Sequence, residues 1–219
     1  YKLLQLIGSG SFGRVYMGVD GKGDIKAIKI SEDLLSSTNE YNAMIKLKEF
    51  SFVPKVYDFD DWQISGKTYH FIVMDYIQGK NLKEIGSQKD IDIKAIFKIG
   101  KILVNIMKKI NRLKYRYTDI KLENIIVNSK GDIYFVDFGS LTAEGMPTKE
   151  YTPTYNINSW RVKHSYSQEE NTLFSVTMIM IALIGKKEYN PLISNLDQVI
   201  DQIHKFPLER KERQFLIDG

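Results

Sequence analysis

The residues best suited to chemistry occur in a fixed order along the chain. A glycine-rich stretch, GSGSFG at residues 8–13, comes first, Lys29 follows, and the acidic residues Asp119 and Asp137 come much later. Glycine amides can approach anionic oxygens because no Cβ stands in the way. A lysine ammonium neutralises phosphate as a point charge, and carboxylates offer the hard oxygens that Mg²⁺ prefers. The order therefore indicates a site for phosphate groups and a divalent cation.

The glycine spacing G-x-G-x-x-G has two known uses. In a dinucleotide site the third glycine opens a helix; in the other arrangement a hairpin folds over the phosphates of a nucleotide. Residues 14–19, RVYMGV, alternate and contain β-branched and aromatic side chains, so they predict a strand and hence a hairpin. Phe12 at its tip would shield the phosphates from water. By itself the motif is weak, and a glycine-rich hairpin that binds no ligand is an equally fair interpretation of it.

A polar loop, YTDIKLENIIV, precedes a second short hairpin. Asp119 is suited to orient an attacking hydroxyl, Lys121 to stabilise charge on a transferred phosphate, and Asn124 to supply a metal oxygen. Asp137, in Asp-Phe-Gly, supplies a second metal oxygen. Each residue alone could merely cap a turn, but chance is a poor explanation of the ordered set.

Glu40 has two readings that the local sequence leaves open. It can pair with Lys29 and hold the ammonium in place. It can also complete a capping box with Ser37 at the start of a helix.

Secondary-structure signals divide the chain into a strand-rich part and a helical part. Strands are predicted in the first 75 or so residues, at 3–8, 14–19, 25–30, 53–59 and 68–76, with one helix after Ser37. Ile93 to Leu113 has a 3.6-residue apolar period, and Leu173 to Ile184 is an apolar helix. A short hairpin is predicted over residues 125–136. The fold class is α+β.

Taken together, these motifs make the chain resemble the eukaryotic-like protein kinase superfamily, from Gly8 to about Gly185. The resemblance implies a bilobal fold with a small antiparallel N-lobe bearing one helix and a mainly helical, shortened C-lobe. Residues 1–77 would form the N-lobe that clamps ATP and 78–219 the C-lobe, together one kinase domain. The cofactors would be ATP and Mg²⁺, with Mn²⁺ as an alternative.

The resemblance also assigns roles. The catalytic set would be Asp119, Lys121, Lys29, Glu40 and Thr152, with Thr152 bonding Asp119 and Lys121. Asn124 and Asp137 would be the metal ligands. The nucleotide would contact Gly8, Ser9, Gly10, Ser11, Phe12, Gly13, Val15, Ala27, Lys29, Met74, Asp75, Ile77 and Ile126.

The implied activity is transfer of the γ-phosphate of ATP to Ser/Thr hydroxyls of bacterial proteins, the kinase itself included. The form D-x-K-x-x-N favours Ser/Thr over Tyr. Residues 142–152, TAEGMPTKEYT, with LFSVTMIMI and GKKEY, resemble the small YabT-type kinases of spore-forming bacteria. Two alternatives are a pseudokinase scaffold that binds ATP without efficient transfer and a small-molecule phosphotransferase.

Several scaffold positions depart from the family pattern. Thr118 stands where arginine usually precedes the catalytic aspartate, and it cannot pair with a phosphate as arginine would. We therefore expect that phosphorylation between Leu141 and Tyr155, at Thr148 for example, is not needed through that route. Ile157-Asn158-Ser159 replaces the Ala-Pro-Glu that usually ends the activation segment, so the buried ion pair of that motif is missing. Thr172 replaces the aspartate that usually begins a helix of the C-lobe. An activation segment with weak anchors would need a partner or a second copy to order it, which makes a homodimer an expectation.

The composition of the chain limits the kinds of covalent cross-link, metal site and binding partner that we expect. The chain has 219 residues, no cysteine and a net charge of +4, so it forms no disulfide and no thiolate metal site. Basic clusters at Lys108–Arg116 and Lys205–Arg213 could bind DNA or an anionic surface, although a solvated helix face is the simpler interpretation. No apolar run is long enough to span a bilayer. We expect a cytoplasmic domain, with any membrane anchor outside this chain.

Overall fold

A computed structural model describes residues 1–10, 13–88, 91–147, 151–160 and 166–219. The chain forms two compact units. The first consists of residues 1–79 and 126–141, and the second of residues 80–125 and 142–219. The second hairpin therefore groups with the strand-rich unit, whereas the sequence division at 77/78 placed it in the helical part.

The first unit is built on a five-stranded antiparallel sheet with the order β1-β2-β3-β5-β4. Its strands are β1 (Lys2–Gly10), β2 (Gly13–Val19), β3 (Ile25–Ser31), β4 (Val56–Ile64) and β5 (Lys67–Asp75). Ser65 and Gly66 both have positive φ, which is the tight-turn geometry that matches the twist of paired strands. Strand β4 begins three residues later than predicted, at Val56.

Helix α1 (Leu34–Lys46) belongs to the first unit and begins earlier than the sequence indicated. The side chain of Asp33 caps it by accepting a hydrogen bond from the Ser36 amide at 3.1 Å. Ser37 lies inside the first turns, where its amide donates to the Asp33 carbonyl. The core of this unit contains buried apolar residues of the sheet, helix and hairpin: Ile28, Met44, Leu47, Phe52, Ile72, Val73, Phe135 and Phe138.

The remaining strands are short: β6 (Gly79–Asn81), β7 (Tyr115–Tyr117), β8 (Ile125–Asn128), β9 (Ile133–Phe135) and β10 (Leu141–Ala143). Strands β8 and β9 form the predicted second hairpin. Asn128 closes its turn, because its side-chain oxygen accepts from the amides of Lys130 and Asp132, each at 2.9 Å. The Phe135 amide donates to the Phe52 carbonyl at 2.9 Å, which joins the hairpin to the rest of the first unit.

The second unit is mainly helical in its described residues. Its helices are α2 (Leu82–Gln88), α3 (Ile93–Arg112), α4 (Gln168–Gly185), α5 (Leu196–Lys205) and α6 (Arg210–Asp218). The predicted apolar helices are confirmed as α3 and α4, whereas α2, α5 and α6 were not predicted. Helix α5 carries apolar residues at Leu196, Val199, Ile200 and Ile203, which is the spacing of an amphipathic helix. The sequence therefore held a signal for α5 that the prediction missed.

Helix α4 is the centre of the second unit. Nearly every residue from Thr172 to Leu183 is buried, so this part of the helix is enclosed on all sides. Helix α3 approaches it closely at Gly100, where a Cβ would lie 3.2 Å from Cγ of Met180. Among the described residues, no helix has the length and apolar character needed to cross a membrane.

Candidate active site

The three glycines of the glycine-rich stretch lie on the paired strands of a β-hairpin. Gly8 pairs with Val15 and Gly10 with Gly13 between β1 and β2, which confirms the hairpin over the helix alternative. Gly13 has φ +135°, and a Cβ there would lie 3.2 Å from the carbonyl carbon of Ile30. Only glycine fits this close approach of two backbones. Ser9 belongs to β1, and the predicted contacts at Ser11 and Phe12 fall outside the described residues.

The residues predicted to enclose adenine all belong to the first unit. Ala27 and Met74 are buried and face one another across β3 and β5, and Val15 lies on the neighbouring strand β2. Ile126, on β8, is half-buried. Ile77 lies in the irregular stretch that follows β5.

Asp75 uses its side chain within the sheet. One carboxylate oxygen accepts from the Tyr57 hydroxyl at 2.7 Å and the other from the Lys55 amide at 3.0 Å. Its amide donates to the Lys55 carbonyl at 2.9 Å. Its side chain is thus committed to the protein, and only its carbonyl is suited to a ligand, as the sequence prediction of a backbone contact requires.

Lys29 and Glu40 form a buried ion pair. Their Nζ and Oε2 atoms are 2.5 Å apart, and the Asp137 carboxylate lies 3.6 Å from the same Nζ. Burial lowers the pKa of Lys29, but the Glu40 and Asp137 carboxylates outweigh that effect and raise it above the ordinary value. Burial raises the pKa of Glu40 to about 7, against the opposing effect of Lys29.

The structure decides between the two readings of Glu40. Because Asp33 caps α1, the capping box of Ser37 and Glu40 is wrong. Glu40 is the seventh residue of the helix, in its second turn, where its carboxylate reaches β3 and meets Lys29.

Asp119 is held by three other polar residues of the second unit. Lys121 donates to Oδ2 of Asp119, and the Thr152 hydroxyl donates to its Oδ1 at 2.7 Å. The Asn124 side-chain amide donates to the Asp119 carbonyl at 3.1 Å. Asp119 and Asn124 are buried. The second unit thus fixes the orientation of one carboxylate through groups from the loop and from residue 152.

The two predicted metal ligands belong to different units. Asp137 receives a hydrogen bond from the Gly139 amide at 3.1 Å, and 36% of its side chain is exposed. Asn124 uses its nitrogen for the bonds to Asp119, so its carbonyl oxygen is the atom with the chemistry of a metal ligand. Both donor types fit a hard divalent cation.

A polar cavity of about 250 Å³ lies in the second unit and was not predicted. Thr118 and the neighbouring Arg116 line it, together with Glu144, Tyr166 and the first residues of α4. Arg116 donates to the Met146 carbonyl. The positive charge in this cavity therefore comes from Arg116, whereas the family pattern has its arginine at the position of Thr118. The only sequence signal was the arginine of YRYTD itself, two positions before Thr118.

The sequence predicts that phosphorylation of Thr148 is not needed for activity. Thr148 lies outside the described residues, so this expectation stays a prediction.

Comparison with known sequences identifies the family. The profile of the protein kinase domain matches residues 1–215. The chain belongs to this family. The predicted resemblance to protein kinases is confirmed, and the fold of this kinase domain is α+β. ATP and a divalent metal are the general requirements of the family.

Two relatives of the kinase domain come from Bacillus subtilis (strain 168). The serine/threonine-protein kinase YabT is 30% identical over the whole chain, which spans 66% of the length of YabT. The serine/threonine-protein kinase PrkC is 27% identical over 84% of this chain, which spans 30% of the length of PrkC. The predicted likeness to YabT-type and Ser/Thr kinases is confirmed. The chain spans less than two thirds of these relatives.

Proposed function

We propose that the domain transfers the γ-phosphate of ATP to Ser and Thr hydroxyls of proteins, its own included. The observation that carries this proposal is the Asp119 carboxylate, which Lys121 and Thr152 bond on its two oxygens. A carboxylate oriented in this way can accept a hydrogen bond from a substrate hydroxyl and direct it.

The first unit would hold the nucleotide. Lys29 would neutralise the α- and β-phosphates, and its pairing with Glu40 keeps the ammonium from other positions. The amides of the glycine turn would cover the phosphates. Val15, Ala27, Met74 and Ile126 would enclose adenine, and the backbone of Asp75 and Ile77 would bond its polar edge.

Asp137 and Asn124 would hold the divalent cation, for which we propose Mg²⁺, with Mn²⁺ as the substitute. The cation supplies charge neutralisation on the phosphates. Asp137 fits this role because its carboxylate is partly exposed and lies beside Lys29.

The second unit would prepare the acceptor. Asp119 accepts the proton of the Ser or Thr hydroxyl as the new oxygen–phosphorus bond forms. The bond between the γ-phosphorus and its bridging oxygen breaks, and ADP leaves with that electron pair. Lys121 stabilises charge on the transferred group. We propose that residues 1–77 act as the N-lobe and residues 78–219 as the C-lobe of one kinase domain.

The decisive experiment incubates the purified chain and its Asp137→Ala variant with radiolabelled ATP, Mg²⁺ and a generic protein substrate. Label on protein that the variant loses supports the proposal. Label on a small molecule alone supports a small-molecule phosphotransferase instead. ATP binding without any transfer supports a pseudokinase.

An anionic effector is a further part of the proposal. Lys108, Lys109 and Arg112 are exposed at the end of α3, and Lys205, Arg210 and Lys211 are exposed on α5 and α6. These cations could bind the phosphates of DNA or an anionic surface. Adding duplex DNA to the transfer assay at 50 and 200 mM salt tests this, because activation through phosphate contacts must weaken with salt.

Sedimentation with and without DNA tests the proposed homodimer. A cytoplasmic location stays a prediction.

A further inference from the structure

The end of the activation segment has an anchor that no family motif supplies. Residues Ile157–Trp160, where the family pattern places a buried ion pair, have no ionisable side chain and none of them is buried. Tyr155, two residues earlier, is buried, and its hydroxyl donates to Oε2 of Glu188 at 2.8 Å. Its carbonyl accepts from the Ser175 hydroxyl at 2.6 Å. The segment is thus fixed at Tyr155.

The Glu188 carboxylate also connects Tyr155, through Lys83, to the polar loop that carries Asp119 and Asn124. Its Oε1 lies 3.2 Å from Nζ of Lys83, on α2, and the same Nζ lies 2.5 Å from Oε1 of Glu123. Glu123 belongs to the short helical turn Leu122–Asn124. One lysine therefore joins the anchor of the segment to the turn that carries Asn124. We call the set Tyr155, Glu188, Lys83 and Glu123 the anchor bridge.

The anchor bridge closes a ring of contacts around Asp119. Asn124, next to Glu123, donates to the Asp119 carbonyl at 3.1 Å. Asp119 accepts from Thr152 at 2.7 Å, and the Tyr155 amide donates to the Thr152 carbonyl at 3.0 Å in the turn Pro153–Tyr155. A shift of Tyr155 must therefore move Thr152, whose hydroxyl orients the Asp119 carboxylate.

We propose that Lys83, Glu188 and Tyr155 are positioning residues that keep Thr152 bonded to Asp119 during phosphate transfer. This role rests on the proposed kinase activity. Positioning errors of about 1 Å can cost on the order of 100-fold in rate even when no reacting group is lost. The bridge therefore matters for turnover more than for nucleotide binding, since none of its members belongs to the first unit.

Charge and burial determine how the bridge responds to change. The side chains of Lys83 and Glu188 are 54% and 33% exposed, so salt screens their attraction. Burial raises the pKa of Tyr155, and the neighbouring Glu188 carboxylate adds to the rise, so the hydroxyl stays a donor at every pH used for assay. Salt therefore weakens the Lys83–Glu188 ion pair, whereas the hydrogen bond of Tyr155 to Glu188 is the same at every assay pH.

The test compares Lys83→Met with Lys80→Met. The second variant removes the same charge from a side chain whose Nζ bonds the neutral Gln88 side chain at 2.7 Å. We expect Lys83→Met to lower kcat about tenfold, with KM for ATP changed by less than about twofold. Lys80→Met should match the wild type, and Lys83→Arg should restore most of kcat. Raising NaCl from 50 to 500 mM should lower kcat of the wild type more steeply than that of Lys83→Met.

Hydrogen exchange provides a readout that does not depend on activity. The amides of Thr152 and of residues 154–156 should exchange faster in Lys83→Met and Tyr155→Phe than in the wild type, and at the wild-type rate in Lys80→Met. If Lys83→Met does not fold, Tyr155→Phe carries the test, since it removes one hydroxyl and keeps the ring.

The outcomes separate two failures. An active wild type with unchanged kcat and unchanged exchange in Lys83→Met and Tyr155→Phe overturns the positioning role alone. Lower stability with unchanged kcat also overturns it, because the residues would then be only structural. A folded wild type with no transfer to any protein overturns the proposed function and this role with it.

Discussion

Two lysine–glutamate pairs in this molecule have the same length and opposite surroundings. Lys29–Glu40 in the first unit and Lys83–Glu123 in the second both measure 2.5 Å. The side chains of Lys29 and Glu40 are 11% and 1% exposed, whereas those of Lys83 and Glu123 are 54% and 39% exposed. Because water screens the second pair and not the first, distance alone does not indicate what a pair contributes.

The contrast suits the two proposed roles. A buried pair holds its ammonium in one position and is costly to break, which is what a residue that contacts phosphates requires. A half-exposed pair contributes little to stability but can still align a loop.

Replacing one lysine in each pair tests the contrast most strongly. Lys29→Met leaves the Glu40 carboxyl buried without its cation, so we expect a loss of about 4 kcal/mol in the free energy of unfolding and no measurable phosphate transfer. Lys83→Met should cost less than about 1 kcal/mol. Urea unfolding at pH 7.5 measures both losses. Equal losses would remove the contrast between the pairs.

The pH dependence of stability tests the buried carboxyl directly. The pKa of Glu40 rises from 4.5 to about 7 on folding, so the folded state binds this proton more tightly than the unfolded chain. The resulting stability is fully present below about pH 4.5 and is lost as the pH rises through about 7. The loss amounts to as much as about 3 kcal/mol.

Glu40→Gln cannot titrate at this position. Between pH 5 and 8, the unfolding free energy of the wild type should therefore fall relative to that of Glu40→Gln, while Lys83→Met keeps the wild-type slope. Parallel curves for the wild type and Glu40→Gln would show that Glu40 is not the group responsible.

Salt should produce the smallest effect. The destabilisation in Lys83→Met, below about 1 kcal/mol at low salt, should vanish in 1 M NaCl, where the screening length is about 3 Å. The destabilisation in Lys29→Met should persist there, because its partner is buried. A loss in Lys83→Met that salt does not change would mean that packing of the lysine stem is responsible.

Much of the first unit could be predicted from neighbouring residues. The alternation in RVYMGV predicted a strand and hence the glycine hairpin, and the turn residues Asn128 to Asp132 predicted the second hairpin. The start of α1 was misplaced because Asp33 and Ser37 are both good caps. The choice between them depends on how the helix packs on the sheet.

The anchor bridge lay beyond prediction for a different reason. Lys83 belongs to α2, whose seven residues are too few for an apolar period, and Glu188 follows α4 in a loop with several charges. Nothing in either neighbourhood marks these two residues as partners. Arg116 beside Thr118 was equally unmarked.

The order of motifs along the chain sufficed to indicate the family, the five strands of the main sheet, the helices α1, α3 and α4, and the residues suited to phosphate chemistry, because these depend on short-range periodicity and residue type. The partner of each charged side chain required the folded coordinates. Glu40 meets Lys29, Thr152 meets Asp119 and Glu188 meets Lys83 because packing brings together elements that are far apart in the chain, and packing also sets how much water each pair keeps.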